Sequence, residues 1–444
     1  MREDFAHTTS CGRRDFLRVG SLSCLGISLS HYLQLKHAIG AETVEANQKA
    51  QSCILLWLNG GPSQVDTWDP KSNSSFKSIG TNVLGTQISE LLPRTANQMH
   101  RLSIVRSMST PENNHGVAHH YAMTGHRPSP AMKFPSLGSI ITKETGARKS
   151  VPPYVMLPEP PIGFEDYFRA HFLGAEYNPL KVPDPSVEGF KIPDLSLPES
   201  LSIKAIDDRR TMLELVDRLH REKVKSAQYA NLDIFRQQAL NMIISRSVRE
   251  AFDLSQESDK TKDAYGRDTF GQSALIARRL VEAGSRFVSV LDLNRKATGR
   301  DWDTHGRNDS QHRDHLVPVL DRVLDMLLSD LAERGLLETT IVLVMGEFGR
   351  TYDLNPRGGR DHWCHCWSLA VGGGGIRGGQ IVGASDERGA YVADRRVSIG
   401  DLYATIYKAF GIDWTTEYLH PIGRPLKIAN STHDETGVPI KELI

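Results

Sequence analysis

Seventeen histidines are spread unevenly along the chain: four fall in His115–His126, three in His305–His315 and two in His362–His365. Each cluster sits beside carboxylates or in a glycine-bearing turn: Asn114-His115-Gly116, Asp301-Trp302-Asp303-Thr304-His305-Gly306 and Gly359-Arg360-Asp361-His362-Trp363. Imidazole and carboxylate drawn from several loops is the donor chemistry of a Zn²⁺, Ca²⁺ or Mn²⁺ site in a hydrolytic enzyme. Asp and His one or two residues apart reach a common point only where the backbone turns sharply, which neighbouring glycines permit. Asp303, His305, Glu347, Asp361 and His362 are therefore candidate metal ligands. Asp66 is a further candidate, although Asp66-Thr67-Trp68-Asp69-Pro70 equally suits a capped turn. Glu347 either binds metal or pairs with Arg350, since a carboxylate after a buried strand needs a partner. His115 is the candidate base or nucleophile. His119 and His120 diverge by about 100° if helical, so one of them faces away. Arg350 and Arg360 could hold an anionic group by bidentate hydrogen bonds, or pair with Glu347 or Asp361. Gly372 to Gly375 lack the Lys-Ser/Thr of a phosphate loop and read as a turn.

Bringing these residues together requires a sheet. Cys53 to Leu58 is a continuous apolar run ended by Asn59-Gly60-Gly61-Pro62, which predicts a strand covered on both faces. Ser103–Ser107 is a second strand candidate. Pro152 to Pro198, rich in Pro, Gly and aromatics, reads as irregular surface, and helical periodicity follows from about Ala205 to Leu254. Two helix-to-strand units come next: Phe270–Ala283 before Phe287–Leu291, and Pro318–Arg334, closed by Gly335, before Thr340–Met345. This alternation predicts an α/β fold with a mostly parallel central sheet and helices on both faces. In such sheets ligands sit beyond the carboxyl ends of the strands, which directs attention to Asn59, Asp292, Asn294 and Glu347.

The balance of 53 basic against 53 acidic residues, with 39% hydrophobic, excludes a basic nucleic-acid binder and a disordered chain. No segment after residue 40 approaches the roughly 18 apolar residues of a membrane span. Arg13-Arg14-Asp15-Phe16-Leu17, an apolar stretch to about Leu35 and Ala38-Ile39-Gly40 resemble a twin-arginine (Tat) leader. Cleavage after Gly40 is expected, leaving a domain over 41–444 with an irregular and helical insertion at 151–260. The expected location is periplasmic or extracellular, with the Tat translocon as a partner during export. Of the cysteines, Cys53, Cys364 and Cys366 remain after cleavage, and core packing suits them better than a disulfide framework.

Three motifs carry a resemblance. Thr340 to Arg350, TIVLVMGEFGR, resembles the sulfatase segment in which a strand ends in Ser-Asp-His/Asn-Gly. His115 to Pro128, HGVAHHYAMTGHRP, resembles the signature Cys/Ser-x-Pro-Ser-Arg followed by a short helix and Thr-Gly-x-x-Pro. Val397 to Asp413 resembles the carboxy-terminal helix of the same group. Over roughly residues 50–430 the chain is thus similar to the sulfatase and alkaline-phosphatase superfamily. Asn59-Gly-Gly-Pro-Ser-Gln-x-Asp-Thr-Trp-Asp-Pro-Lys71 and Gly346-Glu-Phe-Gly-Arg-Thr351 look more closely like a Tat-exported, sulfatase-like family of unknown function.

The resemblance implies a metal-dependent hydrolase of sulfate or phosphate esters, acting on an anionic ester with sulfated polysaccharide among the candidates. The departures are specific. His115 stands at the position of the superfamily's Cys or Ser nucleophile and His119 at that of its Arg. Asn59-Gly60 replaces the paired aspartates, and Phe348 cannot ligate metal. Maturation to formylglycine is excluded at the usual position, so either His115 acts as base or nucleophile or metal-activated water attacks directly. Arg350 would then clamp the anion. The alternative is a non-catalytic binder of sulfated or phosphorylated polymers on the same scaffold.

Overall fold

The apolar runs of the sequence become eight strands of one sheet in the computed structural model, which describes residues 50–149, 151–192, 245–293, 301–431 and 434–444. The leader, Asn294 and most of the helical stretch expected at 205–254 lie outside the described residues. The strands are β1 (Ser52–Leu58), β2 (Leu102–Met108), β3 (Tyr154–Leu157), β4 (Leu180–Lys181), β5 (Phe287–Asp292), β6 (Thr340–Met345), β7 (Trp367–Gly372) and β8 (Ile381–Val382). Their spatial order is β8-β2-β7-β6-β1-β5-β3-β4. β1 pairs in parallel with β5 and β6, whereas β7 is antiparallel to both β2 and β6. The expected α/β architecture with a mostly parallel sheet is the one observed.

Five helices carry most of the packing: α1 (His115–Thr124), α2 (Leu137–Thr145), α3 (Thr269–Ala283), α4 (Val317–Glu333) and α5 (Ile399–Phe410). Side chains of a strand alternate between faces, and β1 uses both. Ile54, Leu56 and Leu58 pack with Leu275 and Leu280 of α3 and with Leu320, Leu324 and Leu327 of α4. Cys53, Leu55 and Trp57 pack on the other side with Ile140 and Ile141 of α2 and with Leu402 and Ile406 of α5. Each such aliphatic side chain contributes about 1.5–3 kcal/mol by leaving water. Helix ends follow their capping residues. Asp268 accepts from the Gly271 N–H at 3.0 Å to start α3, and Ser398 with Asp401 forms a capping box on α5.

The Pro-rich segment differs from expectation, because β3 lies within it, fully buried and paired in parallel with β5 from Tyr154 to Leu157. Only four residues long, it is bracketed by Pro152, Pro153 and Pro158. Prolines at strand ends cost no ladder hydrogen bond yet mask so short a strand from pattern reading. Cys53, Cys364 and Cys366 are free and buried. Among the described residues no helix is long and apolar enough to cross a membrane.

Candidate metal centre

The parallel register aligns Leu58 with Asp292 and Trp57 with Met345, so β1, β5 and β6 end at one edge. Beyond β1 the chain turns through Gly60 at φ +111°. A Cβ there would stand 2.3 Å from the Asp303 nitrogen, so only glycine allows the 302–303 loop to approach. That loop is tied to both strand ends. The Trp302 N–H donates to the Asn59 carbonyl at 3.1 Å, and the indole N–H donates to Asp292 Oδ2 at 2.9 Å.

Glu347 follows β6 and is fully buried. The Gly60 N–H donates to its Oε1 at 3.1 Å. Asn114 caps α1 by accepting from the Gly116 N–H at 3.1 Å, which places His115 in the first turn and His119 one turn later on the same face. His115 Nδ1 lies 2.7 Å from Glu347 Oε1. His119 Nε2 lies 3.2 Å from that same oxygen and 3.1 Å from Asn59 Oδ1. His120 turns away to the His126 carbonyl at 2.8 Å.

Asp303 is the hub of the outer half. Its Oδ1 lies 3.3 Å from His115 Nε2, 3.1 Å from His305 Nε2 and 3.2 Å from His362 Nε2. His362 comes from a short antiparallel ribbon in which it pairs with Arg350. The outward nitrogens of both imidazoles meet acceptors: His362 Nδ1 is 2.7 Å from the Asn113 carbonyl and His305 Nδ1 is 2.6 Å from Asp361 Oδ1. With the protons on Nδ1, both Nε2 atoms turn lone pairs inward, only 2.9 Å apart. Two facing lone pairs at that distance need a shared proton or cation. His115, His119 and Glu347 form one group able to hold a metal ion, and His115, Asp303 and His362 another. A divalent cation fits this donor set of imidazoles and carboxylates, with His115, His305 and His362 each oriented by an acceptor behind the ring.

Burial opposes charge on His115, but hydrogen bonds and charge from Asp303 and Glu347 outweigh it and push the imidazole up to about 9. Burial would raise Glu347, yet His119 and His115 bring it down to about 2. Asp303 is held well below the usual carboxylate range, because its bonds to His115, His362 and Arg350 exceed the cost of burial. In the metal-free protein His115 is therefore protonated at neutral pH. Its pairing adds stability fully present below pH 6.5 and lost as pH rises through about 9. Two-dimensional NMR of the metal-free protein should show this ring titrating near pH 9, and Glu347→Gln should move the midpoint down. An unchanged midpoint in the variant would remove Glu347 as the cause.

Three expectations are corrected. Asp66 does not join the cluster: it is fully buried in an ion pair with Arg360 at 2.7 Å, and Ser63, Ser74 and Asn308 donate to its oxygens. Arg350 is not placed to clamp a substrate anion. Fully buried, it donates to the carbonyls of Gly60, Gly61 and Arg360 and to Asp303 Oδ1, so it positions Asp303. Asp361 does not join the inward donors either: its Oδ1 meets His305 Nδ1 at 2.6 Å, so it stands behind that ring as its orienting carboxylate. His119 was readable from its four-residue spacing to His115. The Gly60 N–H had no sequence signal, because backbone donors have no side-chain identity.

Residues 50–443 match the sequence profile of the family described as Protein of unknown function (DUF1501). No curated protein matches the chain. Crystal structures similar to it include PsFucS1 sulfatase from Pseudoalteromonas sp., at 12% identity over 84% of this chain and 70% of that one, with a TM-score of 0.37. A protein in the alkaline phosphatase superfamily from Vibrio parahaemolyticus is 11% identical over 82% and 67%, with a TM-score of 0.40. The C-terminal periplasmic domain of EcEptC from Escherichia coli, in complex with Zn, is 11% identical over 90% and 93%, with a TM-score of 0.39.

Proposed function

The chain belongs to the DUF1501 family, and we propose that this member is a Tat-exported, metal-dependent hydrolase of sulfate or phosphate esters in the periplasm or outside the cell. The observation that carries the reading is the meeting of three imidazole nitrogens on one carboxylate oxygen, Asp303 Oδ1, with two lone pairs facing at 2.9 Å. Asp303, His305 and His362 would hold the cation, with His115 at its edge and His119 and Glu347 behind. Three imidazoles and a carboxylate suit Zn²⁺ or Mn²⁺ better than Ca²⁺, which takes oxygen ligands. When bound, the cation polarises the ester oxygen and lowers the pKa of water from about 15.7 toward about 7.

The chain's own groups then divide the remaining work. Glu347 accepts from His115 Nδ1 and fixes the ring. His115 Nε2 thereby keeps its lone pair and can take a proton from the attacking water. Arg350 anchors Asp303, and Asn59 with Glu347 orients His119.

One observation favours the alternative, a non-catalytic binder of sulfated or phosphorylated polymers: the expected anion clamp, Arg350, is spent on the fold. Hydrolysis of 4-nitrophenyl sulfate and 4-nitrophenyl phosphate separates the two. A hydrolase loses turnover on chelation, and His115→Ala lowers it by about 10²–10⁴-fold, the usual worth of a positioned acid or base. A binder retains dextran sulfate in both forms and turns over neither ester. Turnover indifferent to chelator would sink the metal-dependent reading.

A further inference from the structure

A cavity of about 920 Å³ opens at the end of α1 away from the histidine cluster. Arg127, Arg396, Arg424 and Lys427 line it against two acidic residues, Glu417 and Asp434. With Glu112, which engages Arg127, four cationic side chains meet three carboxylates, and Lys427 Nζ also donates to the Asp434 carbonyl. Arg127 is engaged by Glu112 at 2.5 Å and Arg424 by Asp434 at 3.5 Å. Among the described residues no carboxylate pairs with Arg396.

The cavity also meets two buried polar atoms that lack hydrogen-bond partners among the described residues. Tyr121 and Asn430 line it and are only 4% and 5% exposed. The Tyr121 hydroxyl and Asn430 Oδ1 have no hydrogen-bond partner among the described residues. Buried polar groups are normally satisfied, so these point to a ligand or to water that a ligand displaces. Asn430 Nδ2 donates to the Gly125 carbonyl at 2.8 Å, which fixes the amide with Oδ1 as the unfilled acceptor. One wall is held by His126, stacked on Phe134 at 4.4 Å and bonded to the Lys427 carbonyl at 3.1 Å. The ligand must satisfy cationic side chains and also supply a donor to Asn430.

We propose that this cavity binds an anionic sugar, a saccharide carrying a sulfate or phosphate group. The oxyanion meets Arg396 and its basic neighbours, while sugar hydroxyls meet Asn430 Oδ1 and the Tyr121 hydroxyl. Tyr121 lies six residues beyond His115 on one helix, about 9 Å along its axis at 1.5 Å per residue. The site is thus separate from the histidine cluster and independent of whether that cluster hydrolyses esters.

Isothermal titration of the full chain, with chelator present to remove cations from the histidines, tests this with glucose 6-sulfate, glucose 6-phosphate, glucose and sodium sulfate. One or both sugar esters should bind more tightly than glucose or inorganic sulfate, and the tighter of the two identifies the oxyanion. Arg396→Ala should weaken that binding at least about tenfold, as expected for a lost charge-assisted hydrogen bond. The isosteric Tyr121→Phe should weaken it several-fold, with thermal unfolding unchanged in both variants. The proposal is overturned if neither ester binds at millimolar concentration, if both variants bind like the wild type, or if inorganic sulfate binds as tightly as the esters.

Discussion

Replacing Asp303 by asparagine should abolish divalent-cation binding and any ester hydrolysis while leaving the fold intact. Its Oδ1 lies within 3.3 Å of His115, His305 and His362, and Arg350 donates to the same atom at 2.5 Å. Loss of a merely supporting partner of a metal site costs about 10–100-fold in affinity, so loss of the shared carboxylate should exceed about 100-fold. Asparagine keeps an oxygen for the buried Arg350 guanidinium, whereas Asp303→Ala leaves that guanidinium with backbone carbonyls alone and should lower stability as well. Competition with a fluorescent chelator reads the affinity, and urea unfolding reads the fold. A folded Asp303→Asn protein that binds zinc like the wild type would remove Asp303 from the site. Because apo His115 is protonated up to about pH 9, binding should also tighten as pH rises toward 9, each ion displacing protons.

The largest loss of stability should come from Asp66→Ala. Asp66 and Arg360 are both fully buried and paired at 2.7 Å, and breaking such a pair costs about 3–5 kcal/mol because a charge is left without compensation. Arg360 also donates to the carbonyls of Thr351 and Tyr352, so the pair ties the turn after β1 to the segment that carries Asp361 and His362. Burial opposes ionisation of Asp66, but Arg360, helped by His312 and Ser74, outweighs it and holds the carboxyl below its ordinary 3.8. The sign follows: this stability is present above pH 3.8 and is lost as pH falls through the lower folded value. Urea unfolding at neutral pH measures the loss, and the double change Asp66→Leu with Arg360→Met should cost less than the sum of the single changes. Asp66→Asn should retain its metal. A metal-free but folded Asp66→Asn protein would restore Asp66 as a ligand.

Much of this could be read from residue order alone. Thr340–Met345 is a strand at the expected residues, and α3 and α4 match the apolar stripes within a residue or so. Long elements carry their own period, which tertiary contacts seldom overrule. The four-residue β3 between prolines has no period to read. At the centre, His115 stands between Glu347 and Asp303, and His305 and His362 approach the same Asp303 oxygen, while Asp361 stands behind the His305 ring. Partner choice was less legible. Arg350 and Arg360 each stand near Glu347 and Asp361 in sequence, yet Arg360 pairs with Asp66, 294 residues away, and Arg350 reaches Asp303, 47 residues away. Long charged side chains reach whatever the fold brings within a few ångströms, and short-range spacing does not encode that.

The most direct test is the metal content of the full chain, purified without chelators and measured by elemental mass spectrometry beside Asp303→Asn. At least one equivalent of zinc or manganese per wild-type chain, and close to none in the folded variant, is the result expected of imidazoles and carboxylate gathered to share a cation. A wild-type protein with no stoichiometric metal, or a variant that retains it in full, would contradict the account.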